Sequence, residues 1–155
     1  MNIKLEHKVM LGGIISGTLR NQDLIPLFVD EILWYNPNNK IAITVQEGLY
    51  DINSDDDEYW SSENANYDYE DLVSQLNEVA ETVPYCYFGT SPDDGSSFGF
   101  WIDSESAIED SELQVSDLND IPPAYSGSCI HINDHGNVTL YAVNKGELTE
   151  IWGVV

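Results

Sequence analysis

Residues 129–155 read CIHINDHGNVTLYAVNKGELTEIWGVV, and this stretch decides the fold. β-Rich runs at 129–133, 138–143 and 148–154 are separated by Asp134-His135-Gly136-Asn137 and Asn144-Lys145-Gly146-Glu147. Each connection offers a glycine for positive φ beside Asn or Asp side chains that bond their own backbone, which is hairpin chemistry. The stretch predicts a three-stranded antiparallel meander.

Working outward, residues 85–89 and 98–102 read as two short aromatic strands joined by a turn at 90–97. Residues 103–125 are polar and acidic, with a short helical turn near 115–119, closed by Pro122-Pro123. An amphipathic helix is expected over 69–83. Leu72, Val73, Leu76, Val79, Ala80 and Val83 follow its 3.6 period, Asp68 caps it and Pro84 stops it. A second helix carries Leu24, Leu27, Phe28, Ile32 and Trp34 or Tyr35 on one face, capped by Thr18 or Asn21. Pro26 either begins its main part or kinks it. Asn36-Pro37-Asn38-Asn39 ends it. Residues 40–45 (KIAITV) read as a strand, with a helix over 40–50 as the alternative. Residues 2–10 alternate apolar and polar as a strand does, Gly12-Gly13 breaks them, and Ile14-Ile15-Ser16 is a short second strand. The order implies one α+β domain over 1–155: an antiparallel sheet ending in the C-terminal meander, with two main helices packed on one face.

Charge is distributed very unevenly. Residues 41–144 contain no lysine or arginine and hold 22 of the 28 acidic residues; the five cations are Lys4, Lys8, Arg20, Lys40 and Lys145. The formal net charge is −23, against a magnitude of about 2–8 in an ordinary small domain. Self-repulsion on that scale costs stability, so its retention needs a reason. A 42 % hydrophobic content with 17 aromatic residues excludes a disordered acidic tail. The charge argues against direct nucleic-acid binding, which needs a basic footprint, and against an anionic membrane; it favours a basic protein surface as partner. No apolar run approaches the ~20 residues of a membrane span. The first ten residues read as a strand pattern and not as an export signal; the expected location is the cytoplasm, with Cys86 and Cys129 expected to be reduced core thiols.

Motif chemistry is sparse. Asp51, Asn53 and Asp55 open like a calcium loop, but Asp56 stands where that loop needs glycine and Ser62 where it needs a bidentate glutamate. Cys129, His131 and His135 offer too few ligands for a closed zinc site. His7 is the remaining histidine, and no nucleophile, P-loop or dinucleotide motif accompanies any of the three. The reading is of a non-enzyme without cofactor or metal.

The acidic elements supply the candidate site instead. In the first are Asp51, Asp55, Asp56, Asp57, Glu58 and Glu63, with Asp68, Glu70 and Asp71 on the helix; Glu105, Glu109, Asp110 and Glu112 lie in the later loop. Tyr59, Trp60, Tyr67 and Tyr69 lie within the acidic region, as interface anchors or as core beneath the loop. Duplex DNA presents one charge per ~1.7 Å of axis. Clustered carboxylates can engage the lysines and arginines of a nucleic-acid channel in its place.

Phe88-Gly89 followed by Phe98-Gly99-Phe100-Trp101, and the run Asn133-Asp134-His135-Gly136-Asn137-Val138-Thr139-Leu140-Tyr141, resemble segments of small proteins of phages and other mobile elements. The resemblance covers about a fifth of the chain and carries over no functional residue. It implies a counter-defence inhibitor of the anti-CRISPR or anti-restriction type, many of which are acidic DNA mimics, acting in the cytoplasm of a bacterial host. The expected function is therefore inhibition of a nucleic-acid-binding host enzyme. The alternatives are an immunity protein against a basic nuclease toxin and, of another class, a calcium-dependent or small-ligand-binding module.

Overall fold

A computed structural model describes residues 4–155. The chain forms two compact units, one of residues 1–82 with 86–101 and the other of 83–85 with 102–155. The α+β class and the C-terminal meander are as expected. The strands form two sheets, however: a three-stranded antiparallel one in the first unit and a four-stranded mixed one in the second.

In the first unit, β1 (Gly12–Ile15) is followed by α1 (Asn21–Tyr35), α2 (Lys40–Leu49), α3 (Glu63–Ala80), β2 (Cys86–Thr90) and β3 (Phe98–Ile102), with sheet order β1-β3-β2. The strand expected at 2–10 does not form over residues 4–10; residues 2 and 3 lie outside the described ones. Its backbone is drawn to the end of α1 instead. The Glu6 N–H donates to the Tyr35 carbonyl (2.8 Å) and the Met10 N–H to the Tyr35 hydroxyl (3.0 Å). The strand begins at Gly12, so the two glycines belong to it rather than break it.

α1 runs unbroken from Asn21 through Pro26, which therefore starts no separate helix. The proline forfeits one hydrogen bond, the one its N–H would make to the Gln22 carbonyl. Neither Thr18 nor Asn21 is the cap: Arg20 is, and its side chain makes no capping bond. Thr18 instead accepts the Arg20 N–H and donates its hydroxyl to Asp23 (2.5 Å), while Arg20 Nε donates to Asp23 at 2.9 Å. These bonds from Arg20 and Thr18 hold the Asp23 carboxyl down to about 2 from its ordinary 3.8. A lowered folded-state value means the contribution is complete above about pH 4 and lost as pH falls toward 2. Between pH 5 and pH 2, urea midpoints of the wild type and Asp23→Asn should converge. A gap that stays constant would contradict this assignment.

α2 corrects the strand expected at 40–45. The Asn39 side chain accepts the Ala42 N–H (3.0 Å) and starts a helix, in which Ala42 and Val45 are buried. One capped turn with a buried face outweighs the β preference of Ile41, Ile43, Thr44 and Val45. α3 starts earlier than expected. Its cap is Ser62, whose hydroxyl accepts the Ala65 N–H (3.1 Å), so Asp68 lies inside the helix, which ends at Ala80 rather than 83.

The core of this unit is aromatic. Phe28 is fully buried, with ring centroids 5.2 Å from Phe88 and 5.5 Å from Phe98; Tyr35 meets Phe100 at 5.7 Å. β1 approaches β3 closely, with Gly13 opposite Gly99. A Cβ at Gly99 would overlap the Gly12 carbonyl oxygen and lie 2.7 Å from Gly13 Cα. Both are backbone atoms that no rotamer change can move. Gly99→Ala should cost about 1–3 kcal/mol by chemical denaturation; a neutral result would show that the strands are not this close.

In the second unit, α4 (Ser104–Asp110) precedes β4 (Gln114–Val115), β5 (Gly127–Ile132), β6 (Val138–Asn144) and β7 (Glu147–Val154), with sheet order β4-β5-β6-β7. α4 replaces part of the expected loop over 103–125. Asp103 caps it, accepting the Ser106 N–H (3.1 Å) and hydroxyl (2.7 Å). β4 runs parallel to β5, and the rest is the antiparallel meander. The β6–β7 turn places Lys145 (φ 50°) and Gly146 (φ 82°) in the left-handed region, as a two-residue hairpin requires. The sheet buries both faces. Ile130, Leu140 and Trp152 pack with Ala107 of α4, while Cys129 and Val143 pack with Val115. That explains why Cys129 and Ile130, adjacent on one strand, are both buried. Cys86 and Cys129 are free thiols, and burial pushes both above the usual thiol range.

Candidate interaction surface

The acidic loop of the first unit is a built structure. Residues 51–57 lead into a 3-10 turn, Glu58–Ser61, and then directly into α3. Asp57 caps the turn, its carboxylate accepting the Tyr59 N–H at 2.9 Å. Three contacts fasten the loop to the start of α1. Asn21 Nδ2 donates to the Trp60 carbonyl (2.9 Å), Gln22 Nε2 to the Asp55 carbonyl (3.1 Å), and Arg20 Nη2 lies 3.6 Å from the Asp55 carboxylate. A helix N-terminus is electropositive, so an acidic loop is favoured there.

Tyr59 and Trp60 are half-buried and their polar atoms are spent within the fold. Trp60 Nε1 donates to the Ser54 carbonyl (3.0 Å) and Tyr59 Oη to Asp68 (2.6 Å). Burial, and then the bond to Asp68, raise the Tyr59 hydroxyl and keep it protonated. Tyr59 therefore acts as a donor to the carboxylate at any ordinary pH.

The carboxylates fall into two groups. Asp55, Asp57, Glu63, Asp68 and Asp110 are used by the fold: Asp55 pairs with Arg20, Asp57 caps, and Glu63, Asp68 and Asp110 accept from Tyr67, Tyr59 and Tyr85. Asp51, Asp56, Glu58, Glu70, Asp71, Glu105, Glu109 and Glu112 are exposed. No side-chain hydrogen bond or ion pair occupies their carboxylates among the described residues. Over those residues the only ion pairs are those of Arg20 with Asp23 and Asp55.

α3 displays the charge in order. Its buried face carries Ala65, Leu72, Leu76, Val79 and Ala80. Its exposed face carries Glu63, Tyr67, Glu70, Asp71 and Glu78, with Glu81 just beyond. The helix has 18 residues, so it spans about 27 Å. Its exposed carboxylates alone are sparser than the phosphates of one DNA strand, about one per 3.4 Å. The loop carboxylates at the N-terminal end of α3 are needed to bring the density closer. Glu105, Glu109, Asp110 and Glu112 belong to the second unit, on α4 and just after it.

Sequence reasoning did not find the cleft beside this surface. About 330 Å³ in volume, it lies within the first unit, lined by Val45, Gly48 and Leu49 of α2 and by Tyr59, Tyr67 and Asp68. Reading 40–45 as a strand hid the α2 side. The helical spacing of Val45, Gly48 and Leu49 was the available signal. A second cleft, of about 270 Å³ in the other unit, is walled mainly by apolar groups such as Ala107, Ile130, Leu140 and Ile151.

Among the described residues, no three His, Cys, Asp or Glu side chains are grouped to hold a metal ion. Cys129 is buried, His131 Nε2 lies 3.2 Å from the Ser116 carbonyl, and His135 is in the exposed turn. No helix of the described residues is long and apolar enough to cross a membrane. Comparison with protein-family models, with curated proteins and with solved structures finds no match.

Proposed function

We propose that this protein is a non-catalytic acidic interaction protein that occupies the basic nucleic-acid channel of a host defence enzyme, as a DNA mimic. The observation that carries the reading is the set of exposed carboxylates on the 51–58 loop and α3 that the fold leaves without cations. Two features support it. The loop is fastened to α1 by hydrogen bonds, so much of the ordering of the charges is done before binding. The apolar face of α3 is buried, which leaves its acidic face free for a partner. Arginine and lysine of a channel would meet these carboxylates as they meet phosphates.

The test is affinity capture from bacterial extract at low and high salt. A nucleic-acid-binding protein should be retained at about 50 mM salt and largely released at about 300 mM, because the Debye length falls from about 14 Å to about 6 Å over that range and exposed pairs are screened. A partner held equally at both, or one that does not bind nucleic acid, would sink the mimic.

A further inference from the structure

We propose that the cleft between α2 and the start of α3 receives one arginine side chain of the basic protein partner, with Asp68 as its counter-charge and Tyr59 and Tyr67 as its aromatic lining. This rests on the function proposed above and goes further by naming the side chain that is recognised.

The cleft volume of about 330 Å³ is at the low end for ligand pockets, which run about 300–1,000 Å³, and suits a single side chain. Its lining is of mixed chemistry. Val45 and Leu49 offer apolar surface for a methylene stem, and the two tyrosines offer rings that attract cations. Asp68 is half-buried, so its charge is less screened than that of the exposed carboxylates around it. One of its oxygens takes the Tyr59 hydroxyl at 2.6 Å, which fixes the carboxylate and leaves lone pairs for a second donor. Tyr67 is fixed in turn by its hydroxyl bond to Glu63 (2.8 Å).

Among the described residues no cation lines this site. Lys40 is the only one on α2, the 3-10 turn and α3, and it does not line the cleft. Arginine fits better than lysine because its planar guanidinium stacks on aromatic faces, forks a carboxylate and is more weakly hydrated. A metal ion is disfavoured by the absence of grouped ligands among the described residues.

The experiment is an NMR titration of the ¹⁵N-labelled protein with N-acetyl-arginine methylamide. The expected result is saturable shifts confined to Thr44, Gly48, Tyr59, Tyr67, Asp68 and their neighbours, with weaker binding of the lysine analogue and none of the neutral citrulline analogue. Asp68→Asn, whose amide oxygen can still accept the Tyr59 hydroxyl, should weaken binding about tenfold or more. Gly48→Leu should abolish it by filling the cleft. A Cβ at Gly48 meets nothing within 4 Å, and leucine favours the helix over glycine, so this variant should fold. Shifts spread over all exposed carboxylates without saturation would overturn the proposal. So would equal binding of citrulline or lysine, or full binding by both variants. The probe needs no partner protein. Failure here with capture of a nucleic-acid-binding protein intact removes only the cleft, whereas cleft binding without such capture removes only the DNA mimic.

Discussion

Phe28→Ala is expected to destabilise the first unit by about 3–5 kcal/mol, the range for deleting a fully buried aromatic ring. Phe28 is 0 % exposed and lies at the meeting point of the aromatic core. Its ring is edge-on to Phe88 and Phe98 and 5.8 Å from Tyr69, so alanine would leave a void bordered by α3, β2 and β3. Those neighbours are themselves large and interlocked, which limits collapse into the space. Urea unfolding followed by tryptophan fluorescence would read the loss, since Trp34, Trp60 and Trp101 all belong to this unit. A cost under about 1 kcal/mol would mean that the core is not packed as described. The consequence reaches the surface, because α1 both carries Phe28 and anchors the acidic loop through Asn21 and Gln22.

The combined substitution Asp56→Lys, Glu58→Lys, Glu70→Lys and Asp71→Lys is expected to weaken partner binding about a hundredfold or more. Each exposed pair lost is worth up to about 1 kcal/mol, and each reversal adds repulsion against a basic channel. The sum of about 3 kcal/mol corresponds to that factor. These positions are the right ones because the fold does not use their side chains: no hydrogen bond or ion pair among the described residues holds them. Lysine also suits the interior of α3 better than aspartate at 71 and about as well as glutamate at 70. The variant should therefore fold at least as well as the wild type, and circular dichroism would establish that. Reversal at Asp57 or Asp68 would be a poorer test, since those carboxylates hold Tyr59 in place.

The parts of the fold that were legible in the sequence are those where one local signal dominates. The meander follows from Gly136, Gly146 and the alternation around them, and α3 from its apolar period. Local signals failed where a single cap or a distant partner decides. Asn39 turns a β-rich run into α2, Asp103 starts α4 in a polar segment, and Tyr35 holds an alternating strand-like segment away from any sheet. The candidate surface was legible as composition but not as geometry. That Asp57 and Asp68 serve Tyr59, while Asp56 and Glu70 serve nothing within the fold, depends on tertiary contacts that spacing cannot reveal. Tyr67 was legible as an aromatic among carboxylates, whereas the role of Gly48 depends on the cleft that the two share.

The most direct measurement is displacement from DNA. Bacterial extract is bound to a duplex-DNA resin and eluted at low salt with this protein or with the variant reversed at Asp56, Glu58, Glu70 and Asp71. A DNA mimic releases a small set of nucleic-acid-binding proteins when wild type is added, and the reversed variant releases none of them. No release by the wild type, or equal release by both, would contradict it.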